Sequence, residues 1–330
     1  MLKHLIILLD DTSVAYCHAD NPLNERRLMP IETLKKSILF GMKQNLMIQY
    51  VFPDYDLPKK YAAIIESIDN VKIYPFGKKP QEELVDTKAT VVEVVDYVPD
   101  TLQAKNIMIR LTFAEMLKQK NAIQKLFADG TRVNLCITDV EQFTDEQIEI
   151  YRQLLEEWNK ALEEFYKQGQ SPQFNLLTDR IILKKMHNCE AGLSNITLAP
   201  NGKFYLCPAF YYDERMQISN QMNHQQPSSD NAVGDLEKGL DIPNSQLLKL
   251  DHAPLCRNCD AYQCRRCIWL NRKLTWDINT PSHQQCVMAH IERNISRLLL
   301  DNIRKKREFM PQIEIKKIDY LDPFEVLAVY

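Results

Sequence analysis

Glycine is scarce in this chain, and no hydrophobic run is long enough to cross a bilayer. Only 8 of 330 residues are glycine, and neither GxGxxG nor GxxxxGK followed by Ser or Thr occurs, so a nucleotide-binding loop is not indicated. The apolar run at residues 5–9 ends at Asp10 and Asp11, where a signal peptide or a membrane span would continue. We therefore predict a buried first strand and no membrane partner.

An excess of basic residues is also missing. The chain has 41 Lys and Arg against 44 Asp and Glu, with a net charge of −3, and the basic residues are dispersed. This pattern lacks the basic surface of a dedicated nucleic-acid-binding protein. The 45% of apolar residues is typical of a soluble protein that can bury a core in one large or two modest domains. We expect a cytoplasmic protein with no nucleic-acid partner.

Cysteine, in contrast, is concentrated late in the chain. Seven of the nine cysteines follow the order C-x12-G-x4-C, gap, C-x2-C-x4-C-x2-C, gap, C. Iron–sulfur clusters and structural zinc each need about four soft ligands around one centre. An odd number of cysteines without a signal peptide disfavours a disulfide framework. The predicted metal ligands are Cys189, Cys207, Cys256, Cys259, Cys264, Cys267 and Cys286.

The first half of the chain alternates strand-like apolar runs with helical patterns, which predicts an α/β fold. Candidate strands lie at residues 5–9, 47–52, 71–74, 90–95, 106–111 and 132–137. Pro30 with Glu32 indicates the start of one helix, and Thr144 with Gln147 forms a capping box for a long helix that Gly169 ends. We predict a partial (β/α) barrel-like domain over residues 1–185.

A small cysteine-rich domain is predicted over residues 186–290, and a C-terminal helix and tail over 291–330. Asn201-Gly202 favours a two-residue type I′ hairpin turn, which would set Cys207 opposite Ile196. The polar residues 213–232 suggest a flexible insertion. Apolar residues recur at helical spacing after Cys286, at Met288, Ile291, Ile295, Leu298, Leu299 and Ile303.

The cysteine order resembles the SPASM domain, a C-terminal module of many radical S-adenosylmethionine (SAM) enzymes that modify peptides and proteins. With its opening LKHLIILLDD, the chain resembles the CXXX repeat peptide maturase group within that family. The resemblance implies maturation of a ribosomally synthesised, cysteine-containing precursor peptide (a RiPP) and two auxiliary [4Fe-4S] clusters. One cluster would take Cys256, Cys259, Cys264 and Cys286. The other would take Cys189, Cys207 and Cys267, with His187 as the nearest candidate for a fourth ligand.

The front half departs from that family at the loop after the first strand. The CxxxCxxC motif, whose three thiolates leave one iron open to SAM, is reduced to Cys17, with Asn21 and Asn24 at the other positions. Binding of SAM is therefore doubtful, the catalytic residues are unknown, and a partner maturation enzyme is a possible source of the missing cluster. The alternative hypothesis is a noncatalytic scaffold, stapled by iron–sulfur or zinc, that recruits a peptide or an enzyme.

Several other side chains have both a functional and a structural interpretation. Asp10 and Asp11 could hold a cation or orient a substrate, but turn formation is favoured. Cys17 with His18 could form a reactive pair. Cys136 is interpreted as a buried small apolar residue.

The three tryptophans, Trp158, Trp269 and Trp276, are expected to pack. Trp269 and Trp276 lie close in sequence to the cysteines and are expected near a cluster. Basic residues between the cysteines either compensate cluster charge or form a solvated face: Arg257, Arg265, Arg266, Arg272 and Lys273.

Overall fold

The computed structural model describes residues 2–77, 90–98, 105–186, 189–221, 231–306 and 308–314. The chain forms two compact units, each built from two separate segments. The first unit comprises Met1–Val94 and Glu190–Lys249, and the second comprises Val95–Cys189 and Leu250–Tyr330. The domain boundaries predicted at 185/186 and 290/291 remain predictions.

The first unit contains a sheet in which five strands run parallel. Its elements are β1 (His4–Leu8), α1 (Ile31–Lys43), β2 (Met47–Val51), α2 (Lys59–Ile65), β3 (Asn70–Pro75), β4 (Thr90–Val95), β8 (Asn195–Leu198), β9 (Phe204–Tyr205), α6 (Pro208–Gln221), β10 (Gly234–Asp235) and β11 (Gly239–Leu240). The strand order is β4-β3-β2-β1-β8-β9, and only the pairing of β9 in this sheet is antiparallel. The strands predicted in this part of the chain are confirmed.

Alternate residues of β1 and β2 face helix α1 and form the core of the first unit. Leu5, Ile7 and Ile48 are almost fully buried together with Leu34 of α1. A Cβ on Gly41 would lie 2.8 Å from Ile48 Cδ1, so the absence of a side chain lets α1 approach the sheet closely. Burial of each large aliphatic side chain contributes about 1.5–3 kcal/mol, which fixes the sheet beneath the loop that follows β1.

The turn between β8 and β9 differs from the predicted type I′ turn. The register pairs Thr197 with Tyr205 and Leu198 with Phe204, and the amide of Ala199 donates to the carbonyl of Lys203. The loop therefore has three residues, including Pro200, and ends at Gly202, which has a φ of 79°. Proline fits the first turn position, so the extra residue shifts the register by one. The predicted pairing of Cys207 with Ile196 is wrong, because the ladder ends at Tyr205.

The region predicted as a flexible insertion is helical in its first part. Helix α6 continues to Gln221, and residues 222–230 lie outside the described residues. The carboxylate of Glu214 anchors the helix by accepting from the Tyr205 hydroxyl at 2.9 Å and from the amide of Asn231 at 2.8 Å. These tertiary hydrogen bonds stabilise the helix despite the polar composition that indicated disorder.

The second unit also contains parallel strands, in the order β7-β6-β5. Its elements are β5 (Asn106–Leu111), α3 (Phe113–Lys125), β6 (Arg132–Ile137), α4 (Asp145–Lys167), β7 (Gln173–Phe174), α5 (Asp179–Ile182), α7 (Ile268–Thr275) and α8 (His283–Arg304). The capping box of Thr144 and Gln147 begins α4 as predicted, and Ser282 with Gln285 forms another at α8. The predicted α/β class with parallel strands is confirmed in each unit, whereas the barrel and the SPASM-like domain remain predictions.

Packing of α8 and the tryptophans follows the sequence pattern only in part. Met288, Ile291, Ile295, Leu299 and Ile303 of α8 are buried, but Leu298 is 43% exposed. Trp158 and Trp269 pack as predicted, and Cys136 is buried as predicted. Trp276 is 92% exposed, because it ends α7 in the left-handed conformation with a φ of 62°, so the packing predicted for it is wrong.

Candidate metal centre

Tight backbone turns form the Cys256–Cys264 segment of the second unit. The amide of Cys259 donates to the carbonyl of Cys256 at 3.0 Å, and the amide of Cys264 donates to the carbonyl of Ala261 at 3.0 Å. Cys256 packs against Met186 and Ala253 in a small apolar cluster. These turns are compatible with the short cysteine spacing, and they keep Cys256, Cys259 and Cys264 within one compact segment.

Two cysteine sulfurs in this unit accept hydrogen bonds from backbone amides. Cys259 Sγ accepts from the amide of Ala261 at 3.4 Å, and Cys267 Sγ accepts from the amide of Leu270 at 3.5 Å. Cys267 is also the N-cap of α7. Amides and a helix N-terminus both favour negative charge on sulfur. The local backbone is therefore arranged to stabilise thiolates at these two positions.

The pKa of the Cys264 thiol is affected by two neighbouring cysteines. Burial raises the pKa of the Cys264 thiol, the amide of Arg266 acts to lower it, and nearby Cys256, Cys259 and Glu292 raise it further. Mutual repulsion would follow if all three thiols ionised without a metal. A cation that binds here must therefore displace protons from closely spaced thiols, as soft-metal sites require.

Arg266 lies buried among the cysteines. Only 4% of it is exposed, and its backbone has a left-handed φ of 42°. Burial lowers the pKa of Arg266, whereas Cys256, Cys189 and Cys264, followed by Asp277, raise it. Its guanidinium donates to the Asn279 side chain. The solvated-face interpretation is wrong for Arg266, although Arg257, Arg272 and Lys273 are exposed.

A buried polar network lies beside the cysteine segment. The Asp260 carboxylate, directly after Cys259, accepts from Arg293 at 2.8 Å and from Arg180 at 3.3 Å, and the Arg180 guanidinium stacks 4.2 Å from the Tyr262 ring centroid. Glu292, the residue before Arg293 on α8, accepts from Tyr151 at 2.8 Å and from Gln263 at 3.3 Å. Sequence reasoning missed this network, because its members come from distant segments and no local motif marks them.

The seven predicted ligands are divided between the two units. Cys207 lies in the first unit, and the other six lie in the second, where Cys286 occupies the first turn of α8 and the Cys189 amide donates to the Arg265 carbonyl at 3.1 Å. None of the nine cysteines, all within the described ranges, forms a disulfide. No three His, Cys, Asp or Glu side chains among the described residues are already placed to hold one metal ion. His187 lies outside those residues, and the ligand assignments remain predictions.

In the first unit, two buried carboxylates follow β1. The Asp10 carboxylate accepts from the Thr12 amide at 2.9 Å, from the Thr12 hydroxyl at 2.6 Å and from the Tyr55 hydroxyl at 2.7 Å. This arrangement is the turn that the sequence favours. Burial and the Asp10 carboxylate raise the pKa of Tyr55, so its hydroxyl remains the donor.

Asp11 connects the end of β1 to helix α6. Its carboxylate accepts a short hydrogen bond from the Tyr211 hydroxyl and lies 3.5 Å from Arg215 and 3.8 Å from Arg27. Burial raises the pKa of Asp11, whereas Tyr211, Arg215 and Arg27 each act to lower it, and Asp10 raises it slightly. The sequence singles out Asp11 but gives no signal for Tyr211, which lies 200 residues away.

Asn21 braces the loop that follows β1. Its side-chain amide donates to the carbonyls of Asp11 at 2.7 Å and Ser13 at 2.8 Å, and its side-chain oxygen accepts from the amide of Leu23 at 3.1 Å. At one position of the family motif, this chain therefore has a structural amide in place of a thiolate. The reactive pair of Cys17 and His18 remains a prediction.

Searches of the sequence find no relative. No family model matches the chain, and no curated protein matches it. Within the described ranges, no helix combines the length and apolar character that a membrane span requires.

Solved structures, in contrast, share the fold. Native anSMEcpe with bound AdoMet matches with a TM-score of 0.61 at 12% identity, over 91% of this chain and 99% of that chain. The same protein with AdoMet and the Cp18Cys peptide matches with a TM-score of 0.60 at 10% identity, over 92% and 100%. Streptococcus suis SuiB bound to its precursor peptide SuiA matches with a TM-score of 0.44 at 12% identity, over 74% and 66%. This chain therefore shares its fold with anSMEcpe.

Proposed function

We propose that this chain is a maturation protein for a ribosomally synthesised, cysteine-containing peptide and that its second unit holds an auxiliary [4Fe-4S] cluster. The proposed ligands are Cys256, Cys259, Cys264 and Cys286. Such a cluster supplies electron transfer or an anchoring site for a peptide when it is bound. The set of Cys189, Cys207 and Cys267, for a second cluster, stays a prediction from the resemblance.

Buried Arg266 is the observation that carries this proposal. A guanidinium is always charged in proteins, and burying it is costly unless anions compensate. The groups that favour its charged form include Cys256, Cys189 and Cys264, followed by Asp277, which is exposed. Neutral thiols offer little compensation, whereas metal-bound thiolates are anionic. The position of Arg266 is therefore explained if the cysteines around it bind a metal centre.

The chemistry of the donor set also fits this centre. Thiolates are the ligands of iron–sulfur clusters, and hydrogen bonds to the sulfurs tune the reduction potential. Cys259 already accepts such a bond from the amide of Ala261. Structural zinc uses the same ligands but contributes no electron transfer, so it is the competing occupant.

Peptide binding is proposed from the shared fold together with the sequence resemblance. The structures of anSMEcpe include complexes with the Cp18Cys and Kp18Cys peptides. A peptide bearing cysteine is therefore the substrate class to test first. For this chain the probe is a synthetic peptide of Cys-x-x-x repeats, with a Ser-for-Cys peptide as its control.

Cleavage of SAM is assigned to a partner enzyme. Three thiolates are needed for the iron site that binds SAM, and the loop after β1 offers only Cys17, while Asn21 is committed to backbone carbonyls. Anaerobic incubation of the purified chain with SAM and a reductant is expected to give no 5′-deoxyadenosine. Formation of that product in catalytic amounts would overturn the assignment.

Replacing cysteine separates the maturation role from the scaffold alternative. The Cys256→Ala and Cys136→Ala variants each lose one thiol, but only Cys256 belongs to the proposed ligand set. With the partner enzyme and the repeat peptide, we expect Cys256→Ala to lose modification while it retains fold and peptide affinity. On the scaffold hypothesis, modification falls only as far as folding or affinity falls. Cys136→Ala should modify the peptide as the wild type does.

A further inference from the structure

His290 is a buried histidine that faces the proposed ligand set. It lies on α8, one helical turn after Cys286, and only 4% of it is exposed. Its Nε2 atom is 3.5 Å from Cys259 Sγ, which is within hydrogen-bonding range for sulfur. Residues four apart on a helix lie on the same face, so α8 directs Cys286 and His290 toward the same segment.

The chemistry of this contact favours a thiolate over a thiol. A neutral thiol sulfur is a weak acceptor, and a buried imidazole gains little from donating to it. A metal-bound thiolate carries negative charge, and a hydrogen bond to it is charge-assisted. The amide of Ala261 donates to the same sulfur at 3.4 Å, so Cys259 would receive two donors.

We infer that His290 donates its Nε2–H to the Cys259 sulfur and thereby raises the reduction potential of the auxiliary cluster, without being a ligand. This inference rests on the proposed function, because it requires the cluster. Reduction adds negative charge to a cluster, so a donor to its sulfur stabilises the reduced state more than the oxidised state. Removing the donor must therefore make the midpoint potential more negative.

Two substitutions test the donor directly in the full-length, cluster-loaded protein. His290→Leu removes the donor and keeps an apolar side chain of similar size, whereas His290→Gln keeps an amide donor. Iron and sulfide are counted first, and the midpoint potential is then measured in a redox titration monitored by electron paramagnetic resonance. We expect both variants to retain the wild-type iron content, with a more negative potential for Leu and a smaller shift for Gln.

The possible failures are distinguishable. An unchanged potential in a fully loaded His290→Leu variant overturns the role of His290 and leaves the proposed function intact. Loss of iron from both variants, with folding retained, also overturns the inference, because His290 would then be needed to hold the metal. A wild-type protein without iron and sulfide overturns the proposed function itself. If the Leu variant does not fold, the Gln variant is compared with a His290→Asn variant, whose shorter amide reaches less far. A wild-type-like potential in the Gln variant then supports the donor role. Equal shifts in the Gln and Asn variants contradict it.

Discussion

The Tyr211→Phe substitution removes the hydroxyl that donates to buried Asp11, and we expect a pH-dependent loss of stability. A hydrogen bond to a charged group contributes about 1.5–3 kcal/mol. Arg215 and Arg27 remain 3.5 and 3.8 Å from the carboxylate, and Arg27 is more than half exposed, so they compensate only in part. The expected loss in the free energy of unfolding at neutral pH is about 2 kcal/mol.

The pH dependence follows from the raised pKa of Asp11. Because the folded-state pKa of Asp11 is raised above its unfolded value, its stabilising contribution is complete below the unfolded pKa and is lost as the pH rises through the folded pKa. Tyr211 opposes this loss by lowering that pKa, so the Phe variant is penalised most where Asp11 ionises. At acidic pH both proteins carry a protonated Asp11, and only a neutral hydrogen bond of about 1 kcal/mol separates them.

Urea unfolding followed by circular dichroism at about pH 7 and about pH 3 measures both quantities. Tyr50→Phe is the matched control, because the Tyr50 hydroxyl is buried and has no hydrogen-bond partner among the described residues. That change is expected to be neutral or slightly stabilising at both pH values. A Tyr211→Phe loss of the same size at both pH values would refute the role of ionised Asp11.

Five further substitutions test three other parts of the structure. Gly234→Ala should lower the free energy of unfolding by about 3 kcal/mol or more, because its Cβ would lie 2.1 Å from the Gly239 carbonyl oxygen. Gly239→Ala meets no atom within 4 Å and should lower it by about 1–2 kcal/mol. Equal losses in chemical unfolding would contradict this difference. Buried Trp158→Ala should lower the free energy of unfolding by about 3–5 kcal/mol, and exposed Trp276→Ala by under about 0.5 kcal/mol. A loss for Trp276→Ala as large as that for Trp158→Ala in thermal unfolding would contradict this ranking. Arg266→Met should lose iron faster than wild type during a chelator challenge, and equal retention would argue against its role as a counter-charge.

The strands and capped helices were predictable because their signals are local. Buried parallel strands are continuous apolar runs, and the run at residues 5–9 shows this in sequence and structure alike. Thr144 and Gln147 form a capping box from residues three apart, so the start of α4 needs no tertiary information. The sequence alone therefore supports the α/β class.

Other features depend on contacts that no local pattern encodes. The β8–β9 register differs from the prediction because Asn201-Gly202 favours a two-residue turn, whereas Pro200 adds a third turn residue. Helix α6 is held by Glu214, which accepts from Tyr205, and by Tyr211, whose partner Asp11 lies 200 residues away. Burial of a guanidinium at residue 266 depends on which anions surround it.

Metal and sulfide content of the anaerobically purified chain tests the central claim most directly. For the proposed site we predict about four iron and about four acid-labile sulfide per chain, with no stoichiometric zinc. Cys256→Ala should lose this amount, and Cys136→Ala should retain it. A colourless protein with stoichiometric zinc and no sulfide, or equal losses in the two variants, would contradict the account.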